Sequence, residues 1–148
     1  MIYLGADHRG YELKEKTKQW LEELGYQYED CGALQYDKDD DYPDFATAVA
    51  RKLEDSPQAR GILICGSGIG ICIAANKIKG IRAGTAASPE QVKASVSDED
   101  LNILCLSADF LNADIAKDII KTFLETKFSG EERHARRISK INKLENLD

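Results

Sequence analysis

Between Gly61 and Cys65 the chain is apolar at every position, and glycines follow at 66, 68 and 70. A strand with no polar face has to be covered on both sides, as in a parallel sheet held between two layers of helices. The rest of the chain supplies such layers. An apolar strand, Ile2 to Leu4, precedes a helix over 11–25, where Leu13, Thr17, Trp20, Leu21 and Leu24 recur at helical spacing and Gly25 marks the stop. A weaker strand over 26–32 leads through an acidic loop to a helix over 45–54. The glycine loop opens a third helix to about Ala75, and a strand over 80–86 follows. Ser88, Pro89 and Gln91 then read as N-cap, first-turn proline and capping-box glutamine of a fourth helix. A strand over 102–108 and a helix over 114–128 complete the alternation, which predicts an α/β fold around a five-stranded parallel sheet in the order 2-1-3-4-5.

Residues 1–148 read as one domain, with no repeat or linker. A last helix, about 131–146, carries Ala135, Ile138, Ile141 and Leu144 on one stripe, open to its own core or to a partner subunit. The formal net charge of −6 argues against nucleic acid and acidic membranes as partners. No apolar run approaches the roughly 18 residues of a membrane span. The first ten residues lack the apolar core of an export signal. Cys31, Cys65, Cys72 and Cys105 form no Cys-x-x-Cys pair, so free thiols in the cytoplasm are expected. No spacing matches a zinc site, and no metal is expected.

In an open parallel sheet, ligands bind beyond the carboxyl ends of the strands, where the strand order reverses. That rule brings together Asp7, His8 and Arg9, after the first strand, and Cys65 to Gly70, after the third. The loop fails as a dinucleotide fingerprint: Gly66, Gly68 and Gly70 are one residue too closely spaced, and Ala86 stands where an acidic residue belongs. It fits an anion cradle better, because glycines let backbone N–H groups approach a ligand. The same surroundings favour the thiolate of Cys65, which is otherwise a small buried hydrophobe. Ser67 serves either the loop backbone or a substrate. Arg133 and Arg137, four apart, can hold a phosphate between them, although such a pair is more often a solvated face. The acidic stretch Asp37 to Asp44 is expected to be solvated. Together these residues suggest acid–base chemistry on a small phosphorylated substrate, with no cofactor.

The segments GADHRG, DYPDFA, CGSGIGICIAANKIKGIRA and ERHARRISKI, in this order, resemble the type B ribose-5-phosphate isomerase family, which also includes galactose-6-phosphate isomerase subunits. The likeness spans essentially the whole chain. It implies a Rossmann-like three-layer αβα sandwich with an extra C-terminal helix. It also implies a homodimer or tetramer with sites at the subunit interface, and aldose–ketose interconversion through a cis-enediol without a cofactor. By resemblance Cys65 is the base, Gly66, Gly68, Ile69 and Gly70 form the enediolate cradle, and Ser67 holds the hydroxyl position. Asp7 and Tyr42 match sugar contacts, while His8, Arg133 and Arg137 match phosphate ligands. Asn76 and Lys77 belong to the signature and are assigned to local structure.

The chain departs from the family at Asp98 and Glu99, where His-Asn is usual, at Asp109, where arginine is usual, and at Glu90, where a tyrosine is expected. The missing histidine is the family's ring-opening group, so Asp98 is the candidate for that step, with Glu99 beside it at the substrate. Positions 98, 99 and 109 together make the rim more negative by four charges. The leading expectation is an isomerase of ribose 5-phosphate. A hexose 6-phosphate isomerase and a non-catalytic sugar-phosphate binding subunit are the alternatives.

Overall fold

A computed structural model describes residues 1–147. The elements in chain order are β1 (Ile2–Ala6), α1 (Tyr11–Glu23), β2 (Tyr28–Asp30), α2 (Tyr42–Asp55), β3 (Arg60–Cys65), α3 (Ile69–Ala75), β4 (Ala83–Thr85), α4 (Pro89–Glu99), β5 (Ile103–Ser107), α5 (Ala113–Glu125) and α6 (Glu132–Leu144). The strands form one parallel sheet. Its faces follow the strand alternation. Leu4, Ile62, Ile64, Leu104 and Leu106 pack under α1, α4 and α5, while Leu63, Cys65, Ile103 and Cys105 pack under α2 and α3.

The strand order is β2-β1-β3-β5-β4, not the expected 2-1-3-4-5. Burial explains the exchange. Ile103 to Leu106 of β5 are completely buried and need a neighbour on each side, whereas the three residues of β4 are half-buried and suit an edge. Handedness then fixes the layers. The chain steps one way across the sheet through α2 and α3 and the other way through α1 and α4, so right-handed crossovers place these pairs on opposite faces. The exchange sets the carboxyl end of β5, rather than β4, against the Cys65 loop.

Local signals hold where they were read. Ser88 Oγ accepts from Gln91 N at 3.2 Å, and Gln91 Oε1 accepts from Ala87 N at 2.8 Å, one residue before the capping-box position. Asn76 brackets the free edge of β4, donating to Ala83 O at 2.8 Å and accepting from Ala83 N at 2.9 Å. Its place in the signature is therefore structural. On α6 only His134 is buried; Ala135, Ile141 and Leu144 are exposed and Ile138 is half-buried. The apolar stripe of this helix is not taken up by its own core. No helix among the described residues is long and apolar enough to cross a membrane.

Candidate active site

The carboxyl ends of β1, β3 and β5 meet around the glycine loop. Cys65 closes β3, is 4% exposed, and its Sγ accepts a hydrogen bond from Gly68 N at 3.2 Å. Gly68 has φ +75°, and a Cβ there would lie 2.9 Å from the Leu106 carbonyl carbon and 3.0 Å from Ser107 N. Only glycine lets the loop turn this close to β5. Ser107 Oγ donates to Gly66 O at 2.7 Å, and Ala108 N and Asp109 N donate to Cys65 O and Gly66 O at 3.0 and 3.1 Å. Ser67 is exposed, and its Oγ accepts from Ile69 N at 3.2 Å, so it caps the loop while still facing outward. Ile69 is half exposed, and the Tyr42 ring lies over Gly70, where a Cβ would be 2.8 Å from its Cζ. Helix α3 has only seven residues, so any anion is met by local N–H groups rather than by a long helix dipole. A hollow of about 250 Å³ opens beside the loop, lined by Ser67, Ile69, Thr85, Gln91 and Ser107 among others.

On the β1 side, Asp7 is buried. Its Oδ1 accepts from Arg9 N at 3.0 Å and Gly10 N at 3.1 Å, closing the turn into α1. His8 is held by a residue that sequence reading assigned to solvent. Asp40 Oδ1 accepts from His8 N at 2.9 Å and lies 2.7 Å from His8 Nδ1, and the Asp40 side chain is only 10% exposed. The hydrogen bond to Asp40, with the negative charges of Asp7 and Asp40, raises the His8 pKa and favours the imidazolium. Asp40 Oδ2 is buried without a hydrogen-bond partner among the described residues, so the carboxylate is met only through its Oδ1, by His8. Periodicity carries no trace of this pairing. The only cue was positional: the acidic loop leaves β2, the neighbour of β1.

Arg9 was brought to the site with Asp7 and His8 but given no role. Its guanidinium pairs with Asp109 and covers Gly66, whose Cβ would fall 2.4 Å from Arg9 Cζ. Asp109 is therefore not a bare negative charge at the rim. Of the remaining thiols, burial pushes Cys31 up to about 11, Cys72 Sγ donates to Ala83 O at 3.3 Å, and the neighbouring Cys72 thiol together with burial raises Cys105. These three read as packing, as expected.

The other expected site residues lie elsewhere. Helix α4 runs back along the sheet and ends where β5 begins. Asp98 and Glu99 therefore sit at the amino edge, about 13 Å of strand away from Cys65. Arg82 Nε donates to the carbonyls of Glu99 and Asp100 there, at 3.1 and 2.9 Å. Helix α6 lies at the same edge, with Glu145 Oε1 accepting from Gly80 N at 2.7 Å. Arg133 and Arg137 project from its exposed surface, and Arg133 pairs with Glu131 at 3.0 Å. One chain thus carries the candidate site as two halves at opposite edges of the sheet.

The model of the Ribose/Galactose Isomerase family matches residues 2–141. The chain belongs to that family. It is a sugar-phosphate isomerase, an enzyme that exchanges aldose and ketose. A probable ribose-5-phosphate isomerase B of Mycoplasma pneumoniae is 40% identical to this family member over 140 residues, 95% of this chain and 91% of the relative. The ribose-5-phosphate isomerase B of Clostridium thermocellum superposes with a TM-score of 0.93 at 41% identity, covering 97% of this chain and 96% of the other. That of Mycoplasma genitalium, with bound ribulose-5-phosphate, gives a TM-score of 0.94 at 38% identity, covering 99% and 97%.

Proposed function

We propose that this isomerase interconverts ribose 5-phosphate and ribulose 5-phosphate through a cis-enediolate, with Cys65 as the base. The observation that carries the reading is the buried Cys65 thiol, 3.2 Å from the Gly68 N–H, with the exposed Ser67 hydroxyl beside it. On the open-chain aldose, the Cys65 thiolate takes the C2 proton. The C–H pair becomes the C1=C2 bond and the aldehyde oxygen O1 takes the negative charge. Backbone N–H groups aimed at that oxygen stabilise charge present only along the reaction path. The O2 hydroxyl proton is relayed to O1 through Ser67, C2=O2 forms, and Cys65 returns its proton to C1. No proton is gained or lost overall.

His8, whose imidazolium form the pairing with Asp40 favours, is a cation for the phosphate, and Asp7 and Tyr42 bound the sugar. The second half of the site comes from another copy of the chain, which brings Asp98, Glu99, Arg133 and Arg137 to the Cys65 loop in a homodimer or a tetramer of such dimers. The separation of the two halves within one chain and the uncovered stripe of α6 support this arrangement. The four unpaired thiols fit a reducing cytoplasm. Ketose formation from a panel of aldose phosphates tests the proposal. Ribose 5-phosphate is the preferred substrate, and Cys65→Ala lowers its turnover by about 10² to 10⁴. A Cys65→Ala protein working at the native rate removes Cys65 from the mechanism.

A further inference from the structure

We infer that Asp98 and His134 form a dyad that opens the sugar ring, Asp98 touching the substrate and His134 positioning its carboxylate. The inference rests on the isomerase reading above and on a second copy presenting this edge to the Cys65 loop. Among the described residues His134 is one of four buried polar side chains, while Glu132, Arg133, Arg136 and Arg137 around it are exposed. Its Nε2 faces Asp98 Oδ1 on α4 at 3.5 Å and Oε2 of Glu131, the residue just before α6, at 4.0 Å. Its Nδ1 is buried with no hydrogen-bond partner among the described residues.

That asymmetry selects a tautomer. A proton on Nδ1 would be stranded without an acceptor, which costs more than an unfilled lone pair on a nitrogen. A proton on Nε2 points instead at a carboxylate. The imidazole therefore turns its Nε2 toward Asp98, where it can position the carboxylate. Asp98 itself is 45% exposed, which leaves its outer face open to a ligand. Where the resembling family carries a histidine, this chain carries a carboxylate with the buried His134 beside it.

The chemistry balances on one carboxylate. Asp98 takes the O1 hydroxyl proton of the cyclic sugar, the C1–O4 bond breaks as C1=O1 forms, and the same proton goes to O4. Ring opening is needed to turn over ribose 5-phosphate but not to exchange the C1 hydrogen of ribulose 5-phosphate, which is already open. Comparing the two reactions isolates the step.

Isomerisation of ribose 5-phosphate and deuterium wash-in to ribulose 5-phosphate are measured on native protein, Asp98→Asn, His134→Gln and the double variant. Asp98→Asn loses about 10²-fold in kcat for isomerisation, and His134→Gln about tenfold, while wash-in stays within about threefold of native in both. The double variant falls no further than Asp98→Asn, as expected of residues acting as a unit. Equal losses in both reactions, additive losses, or full isomerisation by Asp98→Asn overturn the dyad. If His134→Gln does not fold, Asp98→Asn alone still decides it through the two-reaction split. Absence of wash-in by native protein refutes instead the isomerase reading on which the dyad depends.

Discussion

Replacing Gly68 by alanine damages the fold, whereas replacing Gly66, two residues earlier, spares it. At Gly68 the backbone stands at φ +75°, which costs an L-residue about 1–2 kcal/mol. The new Cβ also meets three backbone atoms, Leu106 C at 2.9 Å, Ser107 N at 3.0 Å and Leu106 O at 3.1 Å. None of these can move without parting β3 from β5, so overpacking adds roughly 1–3 kcal/mol. The sum is about 2–5 kcal/mol, or a fall in Tm of roughly 4–20 °C at 2–4 °C per kcal/mol for a chain of this size. At Gly66 the new Cβ falls 2.4 Å from Arg9 Cζ, but Arg9 is 57% exposed and free to swing away. The cost there is below about 1 kcal/mol, because the pair it breaks lies at the surface. Thermal melts and urea titrations followed by circular dichroism measure both. Equal losses, or a Gly68→Ala protein within 1 kcal/mol of native by the overpacking argument, refute this account of the loop.

The chain has only two histidines, so NMR titration can follow His8 directly. Asp40→Asn removes the main cause of its raised pKa, and its titration moves to lower pH. The sign follows: the His8–Asp40 contribution to stability is complete below the unfolded pKa near 6.5 and is lost as pH rises through the folded value, so the native protein loses this increment at higher pH and the variant lacks it. In sugar-phosphate kinetics the same substitution raises KM more than it lowers kcat. Asn76→Ala removes both hydrogen bonds at the free edge of β4 and destabilises by about 1–3 kcal/mol in urea unfolding. Leu144→Glu on the exposed stripe of α6 leaves the melting of a single chain unchanged but shifts sedimentation toward monomer.

What the sequence disclosed is what short-range chemistry decides. The apolar run 61–65, the glycine loop and the Ser88 cap each depend on residues a few positions apart, and each stands where it was read. Asn76 was likewise legible, because its two bonds reach only seven residues ahead. The strand order was not, since the place of β5 between β3 and β4 depends on which strand has most to bury across the sheet. Asp40 and the Arg9–Asp109 pair were hidden for a related reason: their partners lie 32 and 100 residues away. That pairing also alters the charge argument, because Asp109 is neutralised by Arg9 and Asp98 has His134 beneath it. Of the four acidic departures, Asp109 pairs with a fixed cation and Asp98 faces His134, while Glu90 and Glu99 make no ion pair among the described residues. In α1, helical spacing marked Trp20 and Leu24 as core, but both are half-buried. Lys14 is fully buried instead, because Asp30 on β2 pairs with it.

The central claim is that each active site joins the Cys65 loop of one chain to the α4–α6 edge of another. Mixed dimers of Cys65→Ala and Arg137→Ala, co-expressed with different tags, test it most directly. Each variant alone is nearly inactive. In a mixed dimer one pocket carries both lesions and the other carries neither, so random pairing restores about a quarter of native activity. Recovery of about a quarter in the unfractionated mixture and about half in the doubly tagged fraction, absent from either parent, is the predicted result. Mixed dimers as inactive as their parents would contradict a site shared between chains.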